Sequence, residues 1–83
     1  MVAGYRLLSK LVDLLMTHPT PQQIIAFNAT DEENERISYL LERNRNSLLT
    51  YEERRELDSF VEAEHLITKA KVNAFVQIKE KLN

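Results

Sequence analysis

The sequence predicts an all-α fold: a long helical hairpin with an N-terminal helix packed across its open end. Three observations carry that prediction. The first is a repeated helix-start signal, Thr30-Asp31-Glu32-Glu33 and Thr50-Tyr51-Glu52-Glu53. Each sets a threonine where a helix needs an N-cap and a glutamate three positions on. The threonine oxygen accepts a bond from an otherwise unpaired backbone N–H, and the glutamate reaches back to the threonine N–H. The second is punctuation. There is one glycine and there are two prolines in 83 residues, and both prolines fall in a single linker. That leaves little for the tight turns of a sheet. The third is a composition rich in Leu, Glu, Arg, Lys and Ala, which are among the stronger helix formers.

The elements follow in order. Residues 4–17 read as the N-terminal helix. Leu7, Leu8, Leu11, Val12, Leu14 and Leu15 recur at helical spacing, with Arg6, Lys10 and Asp13 on the other side. Tyr5 and Met16 widen the apolar face beyond what one neighbouring helix covers. Such a helix either lies in a groove of its own chain or also meets a second copy. Residues 18–29 form a linker. Pro19 pushes His18 out of the helical region, and Thr20-Pro21 matches a cap followed by proline at the first helical position. A short helix over 21–27 follows, anchored by Ile24, Ile25 and Phe27. His18 is read as a linker residue.

Residues 31–46 form the first hairpin arm, with Ile37, Leu40 and Leu41 as its stripe. Asn44 falls in line with that stripe near the end, where an asparagine suits bonding to the loop backbone. Residues 51–82 form the second arm, a helix about 48 Å long at 1.5 Å per residue. It outreaches the first arm, so the N-terminal helix is expected to cover its far end, near Ala70 to Leu82. The expected core is Leu57, Phe60, Val61, Ile67, Ala74, Phe75, Ile78 and Leu82, facing Leu7, Leu11, Leu14, Leu15, Ile37, Leu40 and Leu41.

Size and charge bound what such a chain can be. It reads as a single domain, 1–83. A chain this short buries only roughly 60–65% of its unfolded surface, so its stability is marginal without help. There is no cysteine and there are two histidines, a poor basis for a structural zinc site or a disulfide. Association is the remaining route to stability, and a dimer is expected. Residues 31–64 carry eleven acids against five bases, a balance of −6, whereas residues 65–83 balance at +3. The acidic middle speaks against a general nucleic-acid clamp and suits a basic partner or an ordinary solvated surface. No apolar run approaches the ~20 residues of a membrane span. Arg6, Lys10 and Asp13 interrupt anything like a signal peptide. The expectation is a soluble, cytoplasmic protein with no membrane contact.

Chemistry is hard to find. There is no HExxH, no glycine-rich phosphate loop, no GxSxG and no Cys–His arrangement. The six aromatics are spread out and form no basic stacking platform. The expectation is no enzyme and no cofactor. One feature stands out on the long helix. At 100° per residue, Glu64 and Lys71 lie within an apolar sector, with Thr68 between them and Leu57, Phe75 and Leu82 on the same line. A charge there is costly unless paired. Seven residues apart, or about 10.5 Å along the axis, they cannot meet each other directly. Either Arg36 or Arg43 reaches Glu64 in an internal salt bridge, or the patch docks another chain. His65 sits beside Glu64 but points about 100° away, so the pair makes no acid–base couple.

The text of residues 24–74 carries a resemblance. Its pieces are Ile24-Ile25-Ala26-Phe27 and Arg36-Ile37-Ser38-Tyr39-Leu40-Leu41-Glu42-Arg43-Asn44-Arg45. They continue with Leu49-Thr50-Tyr51-Glu52-Glu53-Arg54-Arg55-Glu56-Leu57-Asp58 and Glu64-His65-Leu66-Ile67-Thr68-Lys69-Ala70-Lys71. This resembles a group of small, all-helical, mostly uncharacterised bacterial and cyanobacterial proteins encoded beside nucleases of the HNH or PIN type. The resemblance implies a binding role, as an antitoxin or accessory subunit of the nuclease, and no catalytic residue. That group has glycine and threonine in the hairpin loop where Ser47-Leu48 stands here. The partner-binding candidates are Asn44, Glu64, His65, Thr68 and Lys71. The expected function is a small non-catalytic protein-binding module. The alternatives are a structural homo-oligomer and a DNA-binding autoregulator using Lys69, Lys71, Lys79 and Lys81.

Overall fold

Each helix begins where a threonine can cap it or ends where the backbone is forced to turn. A computed structural model describes residues 3–82, with side chains from residue 6 onward. Four helices follow one another: α1 (Ala3–Met16), α2 (Pro21–Ile25), α3 (Asp31–Arg45) and α4 (Tyr51–Leu82). The fold is all-α, as expected. Tyr5, expected on the apolar face of α1, lies outside the residues whose side chains are described.

α1 stops as the backbone of His18 turns to a φ of 54°, followed at once by Pro19. The Thr17 hydroxyl donates to the Leu14 carbonyl at 2.6 Å and ties off the last turn. α2 carries a third capping box that the glutamate pattern hid. The Thr20 N–H donates to the Gln23 side chain at 2.8 Å, and the Gln23 N–H donates to the Thr20 hydroxyl at 3.2 Å. α2 closes at Ile25, two residues short of the expected end, and Phe27 packs from the linker beyond it.

Thr30 and Glu33 cap α3 reciprocally at 2.8 and 3.1 Å, and Thr50 and Glu53 do so for α4 at 3.0 and 3.1 Å. α3 ends in a Schellman turn. The Ser47 N–H reaches the Asn44 carbonyl at 3.1 Å and the Leu48 N–H reaches the Arg43 carbonyl at 2.8 Å. Ser47 takes the left-handed position with a φ of 58°, where glycine is the usual occupant. The backbone of Asn44 serves that turn. Its side chain does not, contrary to expectation, and instead accepts a bond from Arg54.

α4 is one unbroken rod of 32 residues, and the molecule extends 50 Å along its long axis. α1 has the most extensive close packing against it; α2 follows, and α3 approaches it closely at fewer positions. The buried cluster joins Leu7 and Leu11 of α1, Leu40 of α3, and Leu57, Phe60, Ala63 and Ile67 of α4. α1 therefore reaches the middle of α4 and is not confined to its far end. Small side chains explain the close approach. Ala63 and Ala74 are completely or almost completely buried at 0% and 1% exposure, and a methyl group lets two helix axes draw together.

The buried stripe of α4 is the expected one in part: Leu57, Phe60, Ile67 and Ala74 are buried as expected, and Ala63 joins them. Val61 and Phe75, by contrast, are each 58% exposed and Leu82 is 81% exposed. Leu15 and Leu41 are also largely outside, and Leu14, Ile37 and Ile78 are half-buried. The own-chain core is rotated by roughly a quarter turn from the line of Leu57, Phe75 and Leu82, at 100° per residue.

Candidate partner-binding groove

α3 approaches α4 closely at few positions, and an apolar groove lies between them. Ile37 and Leu41 form one wall, Val61 and Glu64 the other, and Leu57 and Phe60 the floor. Its volume is about 230 Å³. Leu57 and Phe60 are buried by their own chain, but Leu41 and Val61 present much of their side chains to solvent. Such a groove excludes water around an inserted apolar side chain and offers one carboxylate at its rim.

Ion pairs also tie the two arms of the hairpin. Arg36 grips Glu56 through two bonds, at 2.7 and 2.9 Å. The bond to Glu56 raises the Arg36 pKa, against a smaller lowering by burial. Arg43 donates to Glu53 at 3.1 Å and to the Leu48 carbonyl at 2.7 Å. Both guanidinium groups also flank the Tyr39 ring, at 5.1 and 5.5 Å from its centroid. Neither arginine therefore reaches Glu64. The expected internal salt bridge is absent among the described residues because closer carboxylates, Glu56 and Glu53, hold both cations.

The five candidate residues do not form one cluster. Glu64 lines the groove and is exposed. Thr68 is exposed and stands seven residues after Val61, hence on the same flank. Lys71 is half-buried and donates to the Asn28 side chain of the linker at 2.8 Å. His65 is exposed and makes no side-chain hydrogen bond among the described residues. Asn44 accepts from Arg54 at 2.9 Å. Asn44 stands seven residues after Ile37, and Arg54 stands seven before Val61, so their bond bridges the two walls at the hairpin end.

Sequence reasoning placed Ile37, Leu41, Leu57, Phe60 and Val61 in the core and missed that they frame an opening. The available signal was the surplus of apolar positions on α4, too many for one stripe.

The chain matches no protein-family model, no curated protein and no solved structure. No helix among the described residues is long and apolar enough to cross a membrane.

Proposed function

We propose that this chain is a small non-catalytic protein-binding module that engages another polypeptide through the α3/α4 groove. The observation supporting the reading is the groove itself: apolar on both walls, open to solvent, and edged by Glu64. An exposed apolar surface with a polar rim is the usual character of a protein contact site. The resemblance of residues 24–74 to proteins encoded beside nucleases supports a nuclease as one partner, with this chain as antitoxin or accessory subunit.

Co-expression with the product of the adjacent gene tests the reading. A complex is expected on size exclusion, and Leu41→Asp or Val61→Asp is expected to abolish it without loss of helix content. If that product is a toxic nuclease, co-expression restores growth. No complex and no rescue discard the nuclease partner. A complex indifferent to both groove variants removes the groove from the reading.

A further inference from the structure

Helix α4 carries two stripes. Phe60, Ala63, Ile67 and Ala74 face its own chain. A second line, Val61, Thr68, Phe75 and Leu82, recurs every seventh residue and faces solvent. Its span is about 31 Å at 1.5 Å per residue. A seven-residue repeat keeps one flank of a helix turned towards a neighbouring helix along its whole length. Glu64 and Lys71 interrupt this flank, and they cannot pair with each other along one rod.

We propose that the flank receives a second copy of itself. The two α4 helices run antiparallel about a two-fold axis near Thr68, and Phe75 of each copy seats in the α3/α4 groove of the other. This rests on the groove being a protein-binding site and names its occupant. An axis at Thr68 sets Val61 opposite Phe75 of the second copy. It also brings Glu64 alongside Lys71 of the second copy, and does so twice. Two-fold symmetry thus gives each intruding charge an opposite charge that its own chain does not supply among the described residues. Lys71 already donates one bond to Asn28, and an ammonium group has three donors to give.

The charge gradient selects the same direction. Residues 31–64 balance at −6 and residues 65–83 at +3. An antiparallel pair lays the lysine-bearing end of each α4 beside the acidic hairpin of the other. A parallel pair would set acid against acid, which association disfavours. Leu57, Val61, Ile37 and Leu41 surround the position that Phe75 of the second copy takes, and Phe75 is 58% exposed in its own chain.

Sedimentation equilibrium and light scattering on the purified chain test this directly. The wild type is expected to dimerise in the micromolar range. Glu64→Lys alone and Lys71→Glu alone each weaken the dimer by roughly tenfold or more, because each sets like charges together at two places. An equimolar mixture of these two variants restores association, since each new charge then meets its opposite. The double variant E64K/K71E restores it in one chain. Phe75→Ala weakens the dimer by roughly a hundredfold, as expected for a central aromatic anchor used twice. Its circular dichroism stays that of the wild type, because Phe75 is mostly exposed in the single chain. A wild type that is monomeric at about 100 μM, an affinity too weak for a specific dimer, overturns the second copy. If that monomer still binds the neighbouring gene product through the groove, the protein-binding reading stands without it. A dimer that ignores the charge exchange overturns the antiparallel geometry.

Discussion

Arg36 holds Glu56 in a two-pronged grip, Nε to Oε2 at 2.7 Å and Nη2 to Oε1 at 2.9 Å. Glu56 is buried on α4 and Arg36 reaches it from α3, so this pair ties the two hairpin arms together. Arg36→Ala leaves a buried carboxylate without its partner. The expected loss is about 2 kcal/mol, below the cost for a fully buried pair because the arginine is partly exposed. The Arg45–Glu42 pair is exposed on both sides. Arg45→Ala should therefore change stability by no more than about 0.5 kcal/mol. Urea melts of the two variants, side by side, check the contrast.

Ser47 holds a left-handed backbone at the end of α3. A side chain with a Cβ pays a steric penalty there that glycine does not. Ser47→Gly is expected to raise stability by about 1 kcal/mol, which for a domain of this size moves the melting midpoint by roughly 4–8 °C. A lower midpoint would show that the hydroxyl matters more than the strain.

Ala63 has no exposed surface where α1 meets α4. Ala63→Leu adds three carbons to a contact that has no room for them. The expected cost is about 1–3 kcal/mol, with α1 pushed off the rod. Val61→Ala, two positions earlier but outside the core, should cost far less in the single chain. Hydrogen exchange along α1 distinguishes a local detachment from general unfolding.

Stability should fall at low pH through Glu33. Its Oε2 is buried without a hydrogen-bond partner among the described residues, and burial alone would raise its pKa. The Thr30 N–H and the Lys10 ammonium, bonded to Oε1 at 2.8 and 2.9 Å, outweigh burial and hold the pKa below the ordinary glutamate value. Glu53 is also lowered, first by the Thr50 N–H. A depressed carboxylate adds stability that is complete above the unfolded-state pKa, about 4.3. It is lost as pH falls from there through the folded value. Melting midpoints should be level above about pH 5.5 and drop below about pH 4.3. Glu33→Gln should flatten part of that drop while lowering stability at neutral pH.

The helix starts were legible because capping is local chemistry. Thr30 with Glu33, and Thr50 with Glu53, satisfy bonds within four residues of chain, and no distant contact is needed to form them. Thr20 with Gln23 was read only as a cap before proline, since its box uses an amide in place of a carboxylate. The groove was less legible. Glu64 and Thr68 were picked for standing on an apolar line, and that line is the outward flank of α4. Leu57, Phe60, Ile67 and Ala74 were rightly placed inside. The error was to extend the core to Val61, Phe75 and Leu82 and to pass over the small Ala63.

Local bonding and periodicity, written along the chain, determined four helices, their caps and the sheet-free class. The choice between two apolar flanks of one rod was left to tertiary structure. Helices pack closest where side chains are smallest, so Ala63 lies in the cluster with Leu7 and Leu11 of α1 while Val61 and Phe75 stay outside. Which carboxylate each arginine takes was decided there too, because a charge pairs with the nearest opposite charge in space, and Glu56 and Glu53 lie nearer than Glu64.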